Sequence, residues 1–405
     1  MIIRARTLVT MDGPPIENGA IALFEDRIVD VAKFNEIKAR HTGEVIDLGE
    51  QVLLPGLINA HCHLDYTCLR AKIPPQRSFT DWIRAINAEK ANLSPDGYVA
   101  SINDGFAEAR RFGTTTIANL TAFPELIPQI RATIRTWWFA ELIDIRATEH
   151  AKELVDRASE SLGKARPPSA PWGLAPHALF TATEDVYRRC EEIARRQNAL
   201  LTTHLAESRE EMQMFHNASG PLYEFLKSIG RCMDDCRNKT PLELFLGLIG
   251  ERALPFWIVA HLNELTDSDF ELLEKSNMRF HVVHCPRSHD YFGHGRFEFE
   301  RLRSLGFNIC FGTDSLSSNE SLSLFDEMRA FRTQFPSMSP EEVLQMVTVN
   351  PARALRQDNA LGKISCAGYA DLLAVPLTGN DVLEEIIAFA GEPWMMMAGE
   401  VQHEI

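Results

Sequence analysis

Long apolar runs are missing from this 405-residue chain. No window approaches the ~18 consecutive apolar residues that a membrane span needs, so no membrane association is expected. The opening Met1-Ile2-Ile3-Arg4-Ala5-Arg6 lacks the charged start and long apolar core of a secretory signal, which points to the cytoplasm and reads as a first strand. Cysteine is present eight times but without dense disulfide spacing, and reduced thiols are the expected state. Cys232 and Cys236 form one close pair; a zinc knuckle needs two more ligands at matching spacing, and none is near. Basic charge is scarce. With 41 Lys and Arg against 56 Asp and Glu, the formal net charge is −15, and such a surface repels a phosphate backbone. Nucleic-acid polymers are thereby excluded as partners, whereas a free nucleoside is not, because a small neutral ligand feels its pocket more than the global field.

What is there is an ordinary globular composition, long enough to bury a large core. The first 55 residues read as short strands and turns: 2–11, 20–31 and 44–54 are strand-like, and Asp12-Gly13-Pro14-Pro15 supplies turn chemistry. From residue 57 the texture changes to short apolar runs alternating with helical spacing. The runs fall at 57–60, 114–119, 136–142, 172–175, 200–203, 257–260, 278–283 and 308–312. Segments such as 98–112, 183–197, 267–275 and 297–305 carry the helical period between them, and 339–355 reads as one further helix with a cap-like Ser339. Eight strand–helix units imply a closed parallel α/β barrel. Strand texture returns at 362–364 and 370–375. The expected domains are therefore a distorted (β/α)8 TIM barrel at 56–358, flanked by a small β-sandwich formed from both termini, 1–55 and 359–405.

Ionisable residues fall just after the predicted strands: His61 and His63 after the first, His177 after the fourth, His204 after the fifth, His261 after the sixth and Asp314 after the eighth. In such a barrel these positions converge on the C-terminal rim, where active sites lie. His61 and His63, two apart on an extended strand end, face the same side. Joined by His204 and Asp314 they form a set of three imidazoles and a carboxylate, which suits one divalent metal: zinc, with iron or manganese as alternatives. Glu207, one short turn past His204, is placed to exchange protons with a bound water or substrate. The bland reading of Glu207 is an acid at a helix start, and that of His261 is a core histidine bonded to a carbonyl. His281 and His284, three apart on a strand, face opposite sides and cannot chelate together, so at least one is structural.

Seven segments together resemble the amidohydrolase superfamily, in its deaminase and chlorohydrolase branch. They are 55–63 (PGLINAHCH), 175–181 (APHALFT), 203–208 (THLAES), 259–265 (VAHLNEL), 284–288 (HCPRS), 311–322 (FGTDSLSSNESL) and 362–375 (GKISCAGYADLLAV). They span nearly the whole chain in the family's order. The resemblance implies metal ligation by His61, His63, His204 and Asp314, a proton shuttle at Glu207, and a histidine, His261, that orients the attacking water. The binuclear branches carry a bridging lysine at the fourth strand's end; 172–177 has none, so one metal is expected. The implied reaction is hydrolytic deamination of an aminated heterocycle. His177 resembles the substrate-contacting histidine of members acting on adenosine-type nucleosides, and Trp82 lies in a tryptophan segment, 78–82, that such members share. The combination resembles most the aminodeoxyfutalosine deaminases of menaquinone biosynthesis, then methylthioadenosine/S-adenosylhomocysteine and guanine-type deaminases. Where relatives commonly show Ser-Asn after the seventh strand, this chain has Ser288-His289. His289 is accordingly expected to reach the substrate, and the loop 289–294 to shape a different pocket. A small-molecule substrate, with a homodimer as the assembly to test for, completes the expectation. Two other readings stand beside it: hydrolytic dechlorination, separated by halide rather than ammonia release, and a non-catalytic binding protein, which predicts missing ligands where none is missing.

Overall fold

The eight apolar runs become eight parallel strands, β1 (Leu57–Cys62), β2 (Thr114–Thr121), β3 (Arg135–Leu142), β4 (Trp172–Pro176), β5 (Leu200–Leu205), β6 (Trp257–His261), β7 (His281–His284) and β8 (Asn308–Phe311). The computed structural model describes residues 1–145, 150–165, 170–249, 257–276 and 279–402, so Met278, the first residue of the expected seventh strand, lies outside the described residues. Neighbouring strands pair in sequence order, giving a nearly closed (β/α)8 barrel of the TIM type. Both faces of each strand must be covered in such a sheet, which is why the runs are continuously apolar rather than alternating. Ile58, Trp137, Phe139, Ile258 and Val283 pack into one cluster that fills the barrel. The alternate residues, among them Ile117, Leu174, Val259 and Phe311, pack with the surrounding helices in a second, larger one.

Two local features set the rim. The first is a bulge in β1: Asn59 lies opposite Ile117, but Cys62 lies opposite Asn119, so β1 carries one extra residue there. An extra residue reverses which side chains face inward. Ile58 and Ala60 belong to the barrel's filling, yet past the bulge it is His61 and His63 that point to the centre. The second is the seam between β1 and β8. The His61 carbonyl accepts hydrogen bonds from the backbone N–H groups of Thr313 (3.1 Å) and Asp314 (3.2 Å). Gly312 makes this approach feasible, since a Cβ there would lie 2.6 Å from the His61 oxygen.

Both termini build the flanking sheets. A four-stranded sheet contains Ile2–Arg4, Gly19–Phe24, Arg27–Lys33 and Val45–Asp47. A six-stranded one joins Thr7–Leu8, Ile16–Glu17 and Gln51–Pro55 to Leu372–Pro376, Trp394–Met397 and Glu400–Val401. Ile3, Leu8, Ile21, Leu53, Leu372 and Met396 share the core there.

Five of the expected elements differ in the structure. Residues 2–11 and 44–54 each split to serve both sheets, and 20–31 is a hairpin turned at Glu25, whose φ is +52°. Residues 362–364 form no strand. The single helix expected over 339–355 is two, Pro340–Gln345 and Val349–Ala354. Pro351 has no N–H to give the Val347 carbonyl. That carbonyl accepts from Ile58 in β1 (2.8 Å) instead, and the Met346 carbonyl accepts from Phe311 in β8 (2.9 Å). The break ties the last helices to the base of the seam.

Gly312→Ala should therefore cost about 1–3 kcal/mol of stability through overpacking against His61. Thermal melts and metal content of the purified variant check this, and an unchanged melting temperature with full metal would remove the close-approach argument.

Candidate metal and catalytic site

Three imidazoles, those of His61, His63 and His204, bring one ring nitrogen each to within 4.8 Å of one another. All three residues are buried. His204 Nδ1 donates to the His177 carbonyl (2.8 Å), which turns its Nε2 toward His63 Nε2 at 3.1 Å. His63 Nδ1 lies 3.6 Å from Glu141 Oε1. Neither nitrogen of His61 has a hydrogen-bond partner. A buried nitrogen without a partner forfeits about 1–3 kcal/mol; a shared cation removes that penalty. Burial, reinforced by His204, pushes the His61 imidazole well down from its ordinary value, and burial with His61 and His204 does the same for His63. The neutral, lone-pair-bearing form that ligates a metal is thus favoured. The residues fit a divalent ion.

Asp314 closes the group. Its Oδ1 stands 4.0 Å from His61 Nε2 and 3.9 Å from His63 Nε2, while Oδ2 accepts from Ser288 (2.7 Å) and Ser318 (3.0 Å). Its φ of +54° is a left-handed conformation, which aspartate adopts more readily than most residues with a Cβ. Asn319 supports the same turn, donating to the Thr313 carbonyl (2.8 Å) and to Glu327 (2.6 Å).

Glu207 is buried beside this cluster, its Oε1 3.7 Å from His261 Nε2, a nitrogen with no hydrogen-bond partner. Burial, then Asp314 and Glu211, raise its carboxyl well above the ordinary glutamate value, which favours the protonated form. A cavity of about 770 Å³ reaches these groups and is lined by His63, His177, His204, Glu207 and Asp314. Trp82, Phe180, Phe225 and Ile229 give it an apolar side, and Tyr66, Lys90 and Glu141 a polar one. His177 has Nδ1 on Thr181 (2.6 Å) and presents its ring to the cavity.

One expected substrate contact is corrected. His289 does not line the cavity. It is buried, with Nδ1 facing Asn263 Oδ1 (3.0 Å) and Nε2 facing the Gly295 carbonyl (2.6 Å), so its hydrogen bonds go to the protein. His284 lies flat on Phe297, ring centroids 4.0 Å apart, and His281 meets the Asn308 amide at 2.9 Å, so neither joins the metal group. All eight cysteines are free.

Other residues of the site were passed over in the sequence. Glu141 is the penultimate residue of β3, inside the apolar run 136–142 rather than after it. Glu211 follows Ser208 at the capping-box interval and accepts from the N–H groups of Glu207 (2.7 Å) and Ala206 (3.2 Å). Ser288, Ser318 and Asn263 carried no signal of their own.

The fold and site define a metal-dependent hydrolase barrel. Residues 52–394 match the model of the amidohydrolase family; the chain belongs to that family and is a hydrolase of carbon–nitrogen bonds. A 5-methylthioadenosine/S-adenosylhomocysteine deaminase of Syntrophobacter fumaroxidans is 29% identical over 384 residues, covering 90% of this chain and 81% of the relative. In fold, the chain is similar to an aminofutalosine deaminase of Helicobacter pylori solved with methylthio-coformycin (TM-score 0.85, 20% identity, 99% of each chain). It is also similar to an adenosine deaminase of Xanthomonas campestris solved with zinc (TM-score 0.81, 23% identity, 99% of this chain and 92% of that one). Among the described residues, no helix is long and apolar enough to cross a membrane.

Glu327 gives the supporting turn a pH dependence. Burial raises its carboxyl from 4.5 to about 8. A carboxyl raised on folding favours the protonated folded state, so stability falls as pH rises from the unfolded value near 4.5 through about 8. Melting temperature should decline across that window in the wild type and less steeply in Glu327→Gln; parallel curves would discount the residue.

Proposed function

We propose that this protein is a zinc-dependent hydrolytic deaminase of adenosine-type nucleosides. The barrel unit 56–358 carries the site, and the flanking segments 1–55 and 359–405 form the sandwich. The observation that carries the reading is the Glu207 carboxyl buried beside three convergent imidazoles and Asp314. His61, His63, His204 and Asp314 would hold the ion, which when bound supplies the Lewis acidity that lets water ionise near neutral pH. His261, its Nε2 without a partner, faces the space beside Glu207 and holds the attacking water by a hydrogen bond. Asp314, whose Oδ2 accepts from two serine hydroxyls, is the base that takes the proton water gives up. Glu207 donates to a ring nitrogen, which makes the amino-bearing carbon electrophilic; water adds there, and the carbon–nitrogen bond breaks as ammonia leaves with a returned proton.

Cavity size and lining support a nucleoside over a bare base. At about 770 Å³ the space exceeds what a purine alone fills, and ligand sites of roughly 300–1,000 Å³ usually enclose most of their ligand. Trp82 and Phe225 offer apolar surface for a ring or a 5′ substituent; Tyr66, Lys90 and Glu141 offer donors and an acceptor for sugar hydroxyls. Within this class, aminodeoxyfutalosine and the methylthioadenosine/S-adenosylhomocysteine pair are the substrates to test first. The names of the sequence relatives and of one similar structure favour the same class.

Purified enzyme with zinc should release ammonia from at least one of these nucleosides, and Glu207→Gln should lower kcat by about 10²–10⁴-fold. Full activity in that variant, or release of halide from a chlorotriazine with no ammonia from any nucleoside, would overturn the proposal.

A further inference from the structure

Glu207 sits in a turn whose main chain is held from both sides. Ala206 before it has φ +48°, and the facing turn has φ +78° at His261 and +53° at Leu262, all in the left-handed region. Residues with a Cβ stay in such conformations only where neighbours hold them. Backbone bonds from Leu262 to the Leu205 carbonyl and from Glu264 to the Ala206 carbonyl, each 2.9 Å, lock the two turns together.

Side chains finish the restraint. Glu211 holds the Glu207 N–H. At the other end of the residue, Asn263 Nδ2 donates to the Glu207 carbonyl at 3.1 Å. That carbonyl can only accept, so the Asn263 amide has one orientation: NH2 toward Glu207, oxygen toward His289. His289 Nδ1 lies 3.0 Å from this oxygen and its Nε2 lies 2.6 Å from the Gly295 carbonyl; both partners accept, and the ring's N–H serves this pair of contacts. Neither Asn263 nor His289 lines the cavity. Their polar atoms are directed at protein, and the chain of contacts ends on the main chain of Glu207.

We infer that Asn263 and His289 are positioning residues for Glu207, coupling the segment after β7 to the carboxyl that moves the proton. The inference rests on the reading of Glu207 as that proton carrier. Both peptide groups flanking Glu207 are fixed by side chains, so the direction of its Cα–Cβ bond is fixed too. A tilt of the carbonyl swings the carboxyl, and displacements near 1 Å cost about 10²-fold in rate.

Asn263→Leu removes both bonds of the bridge while roughly preserving volume. With the nucleoside found to be deaminated, single-turnover measurements should show the rate down about 10–100-fold. Apparent affinity should stay within about twofold and bound zinc at the wild-type ratio. In a Glu207→Gln background the same substitution should change the residual rate less than about twofold, because the group it positions is already gone. His289→Asn, a milder change should Asn263→Leu fold poorly, should show a smaller rate loss with the same dependence on Glu207. Equal losses in both backgrounds, an effect confined to affinity, or a rate within about twofold of wild type would overturn the inference. A Glu207→Gln enzyme with the wild-type rate would instead remove the reading beneath it.

Discussion

One backbone contact organises the rest of the molecule: the His61 carbonyl, at the bulged end of β1, accepts from both Thr313 and Asp314. It closes the barrel and, in the same stroke, brings the first strand's histidines to the eighth strand's aspartate. The bulge chooses the faces, and Gly312 permits the approach. Asn59 reinforces the seam, its side-chain amide donating to the Thr313 hydroxyl (2.8 Å). The helix break ahead of Pro351 adds two further bonds to the strands that meet there. Fold closure and site assembly are one event.

Around that seam the site's ionisable side chains are buried, and burial sets their chemistry. In a low-dielectric setting a polar group needs a partner, and most here have one. Asp314 has two serines on one oxygen, His204 has a carbonyl, and Glu211 has two N–H groups. Among the exceptions, both nitrogens of His61 and Nε2 of His261 flank the same cluster. The same burial that lowers the imidazoles raises Glu207, since charge is disfavoured on both. Two opposite needs, ligands without protons and an acid with one, follow from a single environment.

Much of this was legible in the sequence because barrel topology turns strand ends into neighbours. His61, His63, His177, His204, His261 and Asp314 were found by that rule, and the structure brings them together at one rim. What escaped depends on non-local geometry. No local pattern marks the bulge, whose effect appears only against the register of β2. The helical period across 339–355 hid a break forced by Pro351 and by carbonyls that the barrel recruits. His289 looked like a pocket residue from its place in the chain; its partners, Asn263 and Gly295, turn it inward. Glu141 lies within the run 136–142, where a rule that looks just past each run does not reach it.

The central claim is that four side chains at the ends of β1, β5 and β8 converge on one divalent ion. Anomalous diffraction at the absorption edge of the metal identified by elemental analysis tests it directly. The account predicts one peak per chain, within bonding distance of nitrogens from His61, His63 and His204 and of an Asp314 oxygen. No peak at that rim, or two peaks bridged by a shared ligand, would contradict it.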